Sequence, residues 1–234
     1  MLDKEIESSL LSLKKNWHVD PIINNFMLGK ISKISDHTTK INNVIFHIPF
    51  LDQTGKFILW KCFWPDCNNC CDRQGRLPLT SNDLIRIGKK TNHSKVSNFI
   101  HNETNITTWN EVSPQGQNIT MTTINLKRKT NETSLEDGTH IRCRFLDQKG
   151  YCTLHPYRPG VCYLYPFSVW LENTQNSVHV HATFQFTGDC PGFYTSKNLE
   201  PIKEILNDYS VIIYKYCMES CNTSRKNFST ITFN

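Results

Sequence analysis

The sequence predicts an α+β fold in which small β-hairpins and loops surround a cysteine metal cluster and amphipathic helices pack at both termini. Three observations carry this reading. Apolar residues recur at three- and four-residue intervals near each end of the chain, the period of a helix with one buried face. β-rich runs separated by turn chemistry occupy the middle. Seven of the ten cysteines fall in two dense runs, 62–71 and 143–162, with Cys190 just beyond. The chain divides accordingly into an N-terminal helical segment (1–36), a cysteine-cluster metal-binding domain (41–195, with a polar insertion at 91–139) and a C-terminal helix (196–221) packed on it.

The first helix is marked by Leu2, Ile6, Leu10, Leu13 and Trp17, which lie along one stripe. Asp20-Pro21 ends it and starts another, since Asp caps a helix and Pro is tolerated in the first turn. Ile22, Ile23, Phe26, Met27, Ile31 and Ile34 form the second apolar face, and Ser35 to Lys40 reads as a polar linker. Val44 to Ile48 and Phe57 to Trp60 flank the turn residues Asp52-Gln53-Thr54-Gly55 and make a hairpin. Its second strand runs directly into Cys62, so a rigid element presents the first thiols.

Beyond the first cysteine run, Thr80 with Asp83 three residues on predicts a capped helix over 81–87, ending near Gly88. Residues 91–139 are Asn- and Thr-rich, with a strand predicted at 119–126. Gln148-Lys149-Gly150 predicts a tight hairpin with Cys143 and Cys152 on its two arms, and the proline-bounded turn His155 to Gly160 leads to Cys162. A β-like stretch at 177–187 precedes Cys190, and Leu199, Ile202, Ile205, Leu206, Tyr209, Ile212, Ile213 and Tyr216 mark a long final helix.

Composition narrows the function. No apolar stretch approaches the roughly 18 residues of a membrane span, and the N-terminus mixes acids and lysines where a secretory signal needs an apolar run. The chain therefore reads as cytoplasmic. A reducing compartment favours metal ligation over a disulfide framework, and so does the tight Cys67 to Cys71 cluster. The net charge of +5 is mild and Lys127-Arg128-Lys129 is the one compact basic run, which argues against nucleic acid as a partner. The triplets Asn118-Ile119-Thr120 and Asn131-Glu132-Thr133 follow from the abundance of Asn and Thr.

The predicted ligands are Cys62, Cys67, Cys70, Cys71, Cys143, Cys152, Cys162 and Cys190. Thiolate sulfur selects zinc, cuprous copper and iron–sulfur clusters, and a tetrahedral site takes four ligands, so eight thiols suit one or two centres. Adjacent side chains diverge, which lets Cys70 and Cys71 serve different centres. Cys62-x4-Cys67-x2-Cys70 has plant-type ferredoxin spacing and favours an iron–sulfur cluster, while Cys67-x2-Cys70 with a cysteine-bearing hairpin equally suits structural zinc. His155 stands at Cys-x2-His spacing from Cys152, where it could replace one thiol, but reads as a packing or backbone-bonding residue; Arg158 offsets thiolate charge, binds an anionic ligand or makes a structural salt bridge. Cys217 and Cys221 share a helix face that suits metal binding or oxidative pairing, but they are left outside the predicted ligand set, with Cys217 read alternatively as a core residue.

Seven ordered blocks add a resemblance: Cys67-Asn68-Asn69-Cys70-Cys71, Leu79-Thr80-x2-Asp83, Cys143-x-Phe145-Leu146, Cys152-Thr153-Leu154-His155, Arg158-Pro159-x2-Cys162, Tyr165-Pro166-Phe167 and Cys190-Pro191-Gly192. From Cys62 to Gly192 the chain resembles the YkgJ-like cysteine-cluster proteins, with their zinc- or iron-chelating CxxCxxCC domain. The resemblance implies a metal-binding or iron–sulfur domain like that of flagellin lysine methylases. Where the family has two residues between its first cysteines, this chain has four, Phe63 to Asp66. The leading expectation is a metal-binding protein holding an iron–sulfur cluster or zinc. The alternatives are an iron–sulfur enzyme for electron transfer or protein lysine methylation, and a zinc-stabilised interaction module. No glycine-rich loop marks a nucleotide or S-adenosylmethionine site.

Overall fold

The structure is a computed structural model that describes residues 7, 10, 11, 13–73, 77–112, 118–127, 143–173, 177–186 and 190–224. Leu2, Ile6, Arg128, Lys129, Asn131 and the side chain of Cys221 lie outside the described residues. The fold is α+β, as the sequence predicts, and divides into two compact units, Met1–Cys70 with Leu164–Lys215 and Cys71–Tyr163 with Tyr216–Asn234.

The first unit is built on a six-stranded sheet. Helix α1 (Pro21–Met27) is capped by Asp20, whose carboxylate accepts from the Ile22 N–H at 2.9 Å and the Thr195 hydroxyl at 2.7 Å. It stops seven residues short of Ile34, the last apolar position of the predicted stripe, because Gly29 turns the chain away with φ +66°. The segment expected to be a linker is instead strand β1 (Ile34–Ile41), paired antiparallel along the whole of β2 (Val44–Leu51). Its residues are almost all exposed, so it lacks the buried alternation by which strands are recognised. The other edge of β2 is shared by β7 (Val178–Phe184), parallel, and β3 (Lys56–Trp60), antiparallel. Strands β6 (Phe167–Asn173) and β8 (Phe193–Ser196) complete the order β6-β7-β2-β3-β8.

The core of this unit is aromatic and aliphatic. Phe46 packs edge-on to Phe167, which stacks on Phe184, and Phe184 meets Phe193. Val44, Ile48, Leu51, Ile58 and Leu59 are fully buried. Helix α6 (Lys203–Ser224), entered through a 3-10 turn (Glu200–Ile202), buries Leu206 and Ile213. A polar chain also crosses four strands of the sheet. The rings of His47 and His181 are hydrogen-bonded at 2.9 Å, Glu172 Oε2 lies 3.0 Å from His181 Nε2, and Asp36 Oδ2 lies 3.9 Å from His47 Nδ1. Trp170 stacks on His181 with 16° between the ring planes.

The second unit contains α2 (Asn69–Arg73) from Cys71 onward, α3 (Ser81–Lys90), α4 (Val96–Glu103), the hairpin of β4 (Thr104–Val112) and β5 (Asn118–Leu126), and α5 (Gly160–Leu164). Both bonds of the predicted capping box are present: Thr80 Oγ1 accepts from the Asp83 N–H, and Asp83 Oδ2 accepts from the Thr80 N–H. Within residues 91–139 the described part is ordered as α4, β4 and β5. Its Phe99, Ile124 and Leu126 join Leu77, Leu79, Leu84, Ile87 and Leu154 in one core. The Leu79 N–H donates to Ile124 at 2.8 Å and the Leu126 N–H to Leu77 at 3.0 Å, so β5 anchors the strand-like segment before α3.

Gly192 is required by close approach rather than by a turn. Its carbonyl accepts from the Lys61 N–H at 3.0 Å, and a Cβ there would stand 2.2 Å from the Lys61 carbonyl oxygen and 2.8 Å from Trp60 Nε1. Gly192→Ala is therefore expected to separate β3 from the chain beside it and to cost about 2 kcal/mol or more. Denaturant unfolding checks this; a midpoint equal to that of the parent protein would contradict the packing described.

Candidate metal centre

The eight predicted ligands separate between the two units. Cys71, Cys143, Cys152 and Cys162 belong to the second, and Cys62, Cys67, Cys70 and Cys190 to the first. One of the passages between the units falls at the Cys70–Cys71 peptide, within α2.

In the second unit, local backbone bonds place each thiol. The Cys143 N–H donates to the Cys71 carbonyl at 3.1 Å, which joins two segments far apart in sequence. Cys143 and Cys152 occupy the arms of the predicted hairpin, closed by a bridge between Leu146 and Cys152 and by the Thr153 N–H donating to Phe145 at 2.8 Å. Gly150 takes φ +85° in its turn, and Asp147 Oδ1 accepts from the N–H groups of Lys149 and Tyr151, each at 2.8 Å. Cys162 lies in α5, directly after the proline-bounded turn. Cys143, Cys152 and Cys162 all pack against the apolar core.

Burial and charge act on the thiols of this unit together. Burial pushes the Cys162 thiol well up from its ordinary value, and Cys143, Cys71 and Cys152 push it further by like-charge repulsion, while Arg158 opposes them. Cys152 is also raised, chiefly by burial and then by Cys71; against this, the Leu154 and His155 N–H groups bond its sulfur and Arg158 attracts it. These donors favour the thiolate, the form that binds metal. His155 is exposed, and its place at the centre is its backbone N–H.

Asp83 links this set to α3. It is 2% exposed and accepts from the Gly160 N–H at 3.0 Å and from Arg86 Nη2 at 2.6 Å. The same Arg86 nitrogen donates to the Arg158 carbonyl at 2.7 Å. The segment Arg158-Pro159-Gly160 is thereby held at both ends, two residues before Cys162. From the sequence, Asp83 read only as a capping acid; its second bond, to a backbone 77 residues away, carries no local signal. Tyr216 closes over the same turn, with its ring 2.9 Å from where a Gly160 Cβ would lie. Burial and the Asp83 charge push the Tyr216 phenol up to about 12.

In the first unit, Cys190 is the best-defined thiol. Burial raises it, and three donors work the other way: the Tyr165 hydroxyl, the Gly192 N–H and the Trp60 indole N–H, the last at 3.4 Å. Cys62 is near enough to repel it. Cys62 itself is exposed and accepts from the Trp64 N–H at 3.4 Å, and the Cys67 N–H donates to Phe63 at 3.1 Å. Trp60 and Tyr165 were absent from the ligand reading, although Tyr165 opens one of the sequence blocks.

Among the described residues, no group of three or more His, Cys, Asp or Glu side chains has the closeness of a formed metal site. The donor chemistry of the second-unit set is that of a zinc or iron ligand set: four soft thiols, two of them raised chiefly by burial. Cys217 is 5% exposed and belongs to the core, as predicted. Among the described residues, no helix is long and apolar enough to cross a membrane.

Comparison with known proteins gives one match. No curated protein and no solved structure matches the chain. The model of the CxxCxxCC family, described as a putative zinc- or iron-chelating domain, matches residues 61–191, which spans all eight predicted ligands and more than half of the 234 residues. With four thiols gathered in one unit and this match over them, the chain belongs to the CxxCxxCC family of zinc- or iron-chelating domains.

Proposed function

We propose that the chain holds a thiolate metal centre through Cys71, Cys143, Cys152 and Cys162, occupied by zinc or an iron–sulfur cluster, with Cys62, Cys67, Cys70 and Cys190 as the second donor set. The observation that carries this reading is that Cys143, Cys152 and Cys162 pack against one core, with the Cys143 N–H bonded to the Cys71 carbonyl, inside the stretch that the family match covers. Thiols placed this way stay protonated and neutral until a metal binds their thiolate forms. A set of four protein thiols leaves no open position on a tetrahedral ion, which favours a structural or electron-transferring centre over a hydrolytic one.

When bound, zinc would supply a redox-silent clamp and an iron–sulfur cluster a one-electron carrier. The residues of this chain do the rest. The Cys143–Cys152 hairpin presents two thiols, the Leu154 and His155 N–H groups favour a thiolate at Cys152, and the core beneath excludes water. For the first-unit set, hydrogen bonds to the Cys190 sulfur would raise the reduction potential of an iron–sulfur cluster. This supports the iron–sulfur enzyme, for electron transfer or protein lysine methylation, as a second reading. A cytoplasmic, reducing location is part of the same proposal, because the thiols need it.

Protein purified without oxygen is expected to contain zinc, or iron with acid-labile sulfide, and Cys162→Ser is expected to lose the metal of the second-unit centre and melt several degrees lower. Metal analysis and thermal unfolding of parent and variant check both points; a parent protein without stoichiometric metal would end the proposal. Cys217→Ser tests the boundary of the ligand set. It is expected to keep full metal content while losing about 1 kcal/mol of stability through poorer packing. Metal loss in that variant would place Cys217 among the ligands.

A further inference from the structure

We propose that the outer edge of β1 is a self-complementary interface through which two copies of this chain pair, antiparallel and about a two-fold axis at Thr38. The inference does not depend on the metal-binding reading. It starts from a strand that the thiol sets do not use.

β1 is paired with β2 over all eight of its residues, from Ile34 against Leu51 to Ile41 against Val44, with no bulge in the register. On its other side it has no strand partner among the described residues. Its residues are exposed from Ile34 to Thr38 and again at Lys40, and the Asp36 side chain is 64% exposed. A regular edge of this kind presents a row of backbone N–H and C=O groups, which is a template for a further strand. Proteins guard such edges with proline, bulges or charge. β1 contains no proline and no bulge, so Asp36 and Lys40 are its guards.

Those two charges also specify one way of pairing. They stand two residues to either side of Thr38, on one face of the strand, because side chains alternate. Antiparallel pairing of two β1 strands about Thr38 therefore sets Asp36 of each copy opposite Lys40 of the other, with Thr38 opposite Thr38. Opposite charges and paired threonines across two strands are stabilising, and like charges are destabilising. A slip by one residue places Asp36 against Thr39 or Ile41 and loses both ion pairs. Parallel, in-register stacking brings Asp36 beside Asp36 and Lys40 beside Lys40. The charges thus oppose open-ended stacking and favour a closed arrangement in which each residue contacts its complement twice.

The ends of the pairing are set by the same chain. Asn42 turns away with φ +52°, and its side-chain amide is held by Ser210 at 2.6 Å, so the edge runs from Ser35 to Ile41. The other edges of the sheet lack this complementarity. In β6 the one charged residue is Glu172, bonded to His181 at 3.0 Å, and β8 has four residues and no charge. Pairing through β1 joins two six-stranded sheets edge to edge. The surface involved is small, which makes the dimer weak and dependent on concentration.

Sedimentation velocity on the full chain in reducing buffer, at rising protein concentration, measures the monomer–dimer balance. The parent protein is expected to dimerise increasingly with concentration and less as salt is raised, since exposed ion pairs are screened. Asp36→Lys and Lys40→Asp each place like charges opposite one another at two points, and each is expected to weaken self-association about tenfold or more. An equimolar mixture of these two variants restores both ion pairs in a heterodimer, and the doubly exchanged Asp36→Lys/Lys40→Asp chain restores them in a homodimer; both should recover parent-like association. Thermal unfolding checks that each variant is folded. A parent protein that stays monomeric at every concentration, single variants that dimerise like the parent, or a mixture that stays monomeric would each overturn the proposal. Should Asp36→Lys fail to fold, because it also loses the contact with His47, parent-like dimerisation of Lys40→Asp would overturn it by itself.

Discussion

A single buried carboxylate ties the second unit together. Asp83 caps α3 with one oxygen, while the other receives the Gly160 backbone and the Arg86 side chain. A carboxylate this deeply buried survives only if its lone pairs are met, and here the donors come from two separate stretches of chain, α3 with its cap and the turn at Gly160. One consequence is that the turn into Cys162 cannot drift relative to the core against which the thiols pack. Another is that Arg86 is drawn inward, where the same Nη2 also captures the Arg158 carbonyl. Metal-binding cysteines on loops need such an anchor, because a loop alone does not hold a sulfur to within a fraction of an ångström.

The thiol sets are balanced between two opposing tendencies. Burial and mutual repulsion favour the protonated thiol, which is inert; N–H donors and cations favour the thiolate, which binds metal. In the second unit the favouring groups are two backbone N–H groups at Cys152 and the charge of Arg158. In the first they are a tyrosine hydroxyl, an indole and a backbone N–H on Cys190. The two sets therefore meet the same chemical demand with different means, one charged and one neutral. Neutral donors adjust how much electron density a sulfur gives to a metal, whereas a cation changes the net charge of the whole centre.

The first unit combines a conventional sheet with an unusual polar line. His47 and His181 bridge β2 and β7, the parallel pair, and Glu172 and Asp36 extend the chain to β6 and β1. Parallel neighbours have no hairpin to join them, so side-chain bonds between them help to hold the register. Beneath, the ring contacts from Phe46 through Phe193 supply the apolar mass that lets β1 remain solvent-facing.

The sequence by itself determined the chemistry and the local elements. Thiol clusters specify soft-metal ligation whatever the fold, and the Thr80–Asp83 box, the Cys143–Cys152 hairpin and the β2–β3 hairpin are set by residues within a few positions of one another. Polar strand β1 was not legible, since neither face is buried and pairing alone makes it a strand; nor was the early end of α1, since Ile31 and Ile34 continue the apolar spacing past the glycine that breaks it. Only the tertiary structure decided how eight thiols are shared out, four to each unit with one of the passages between them at the Cys70–Cys71 peptide. It alone recruited Asp83 to the turn before Cys162, and Trp60 and Tyr165 to Cys190. The physical reason is common to all of these: hydrogen bonds and charge effects act through space across tens of residues, and no periodicity or spacing in a linear chain records which distant groups the fold will bring together.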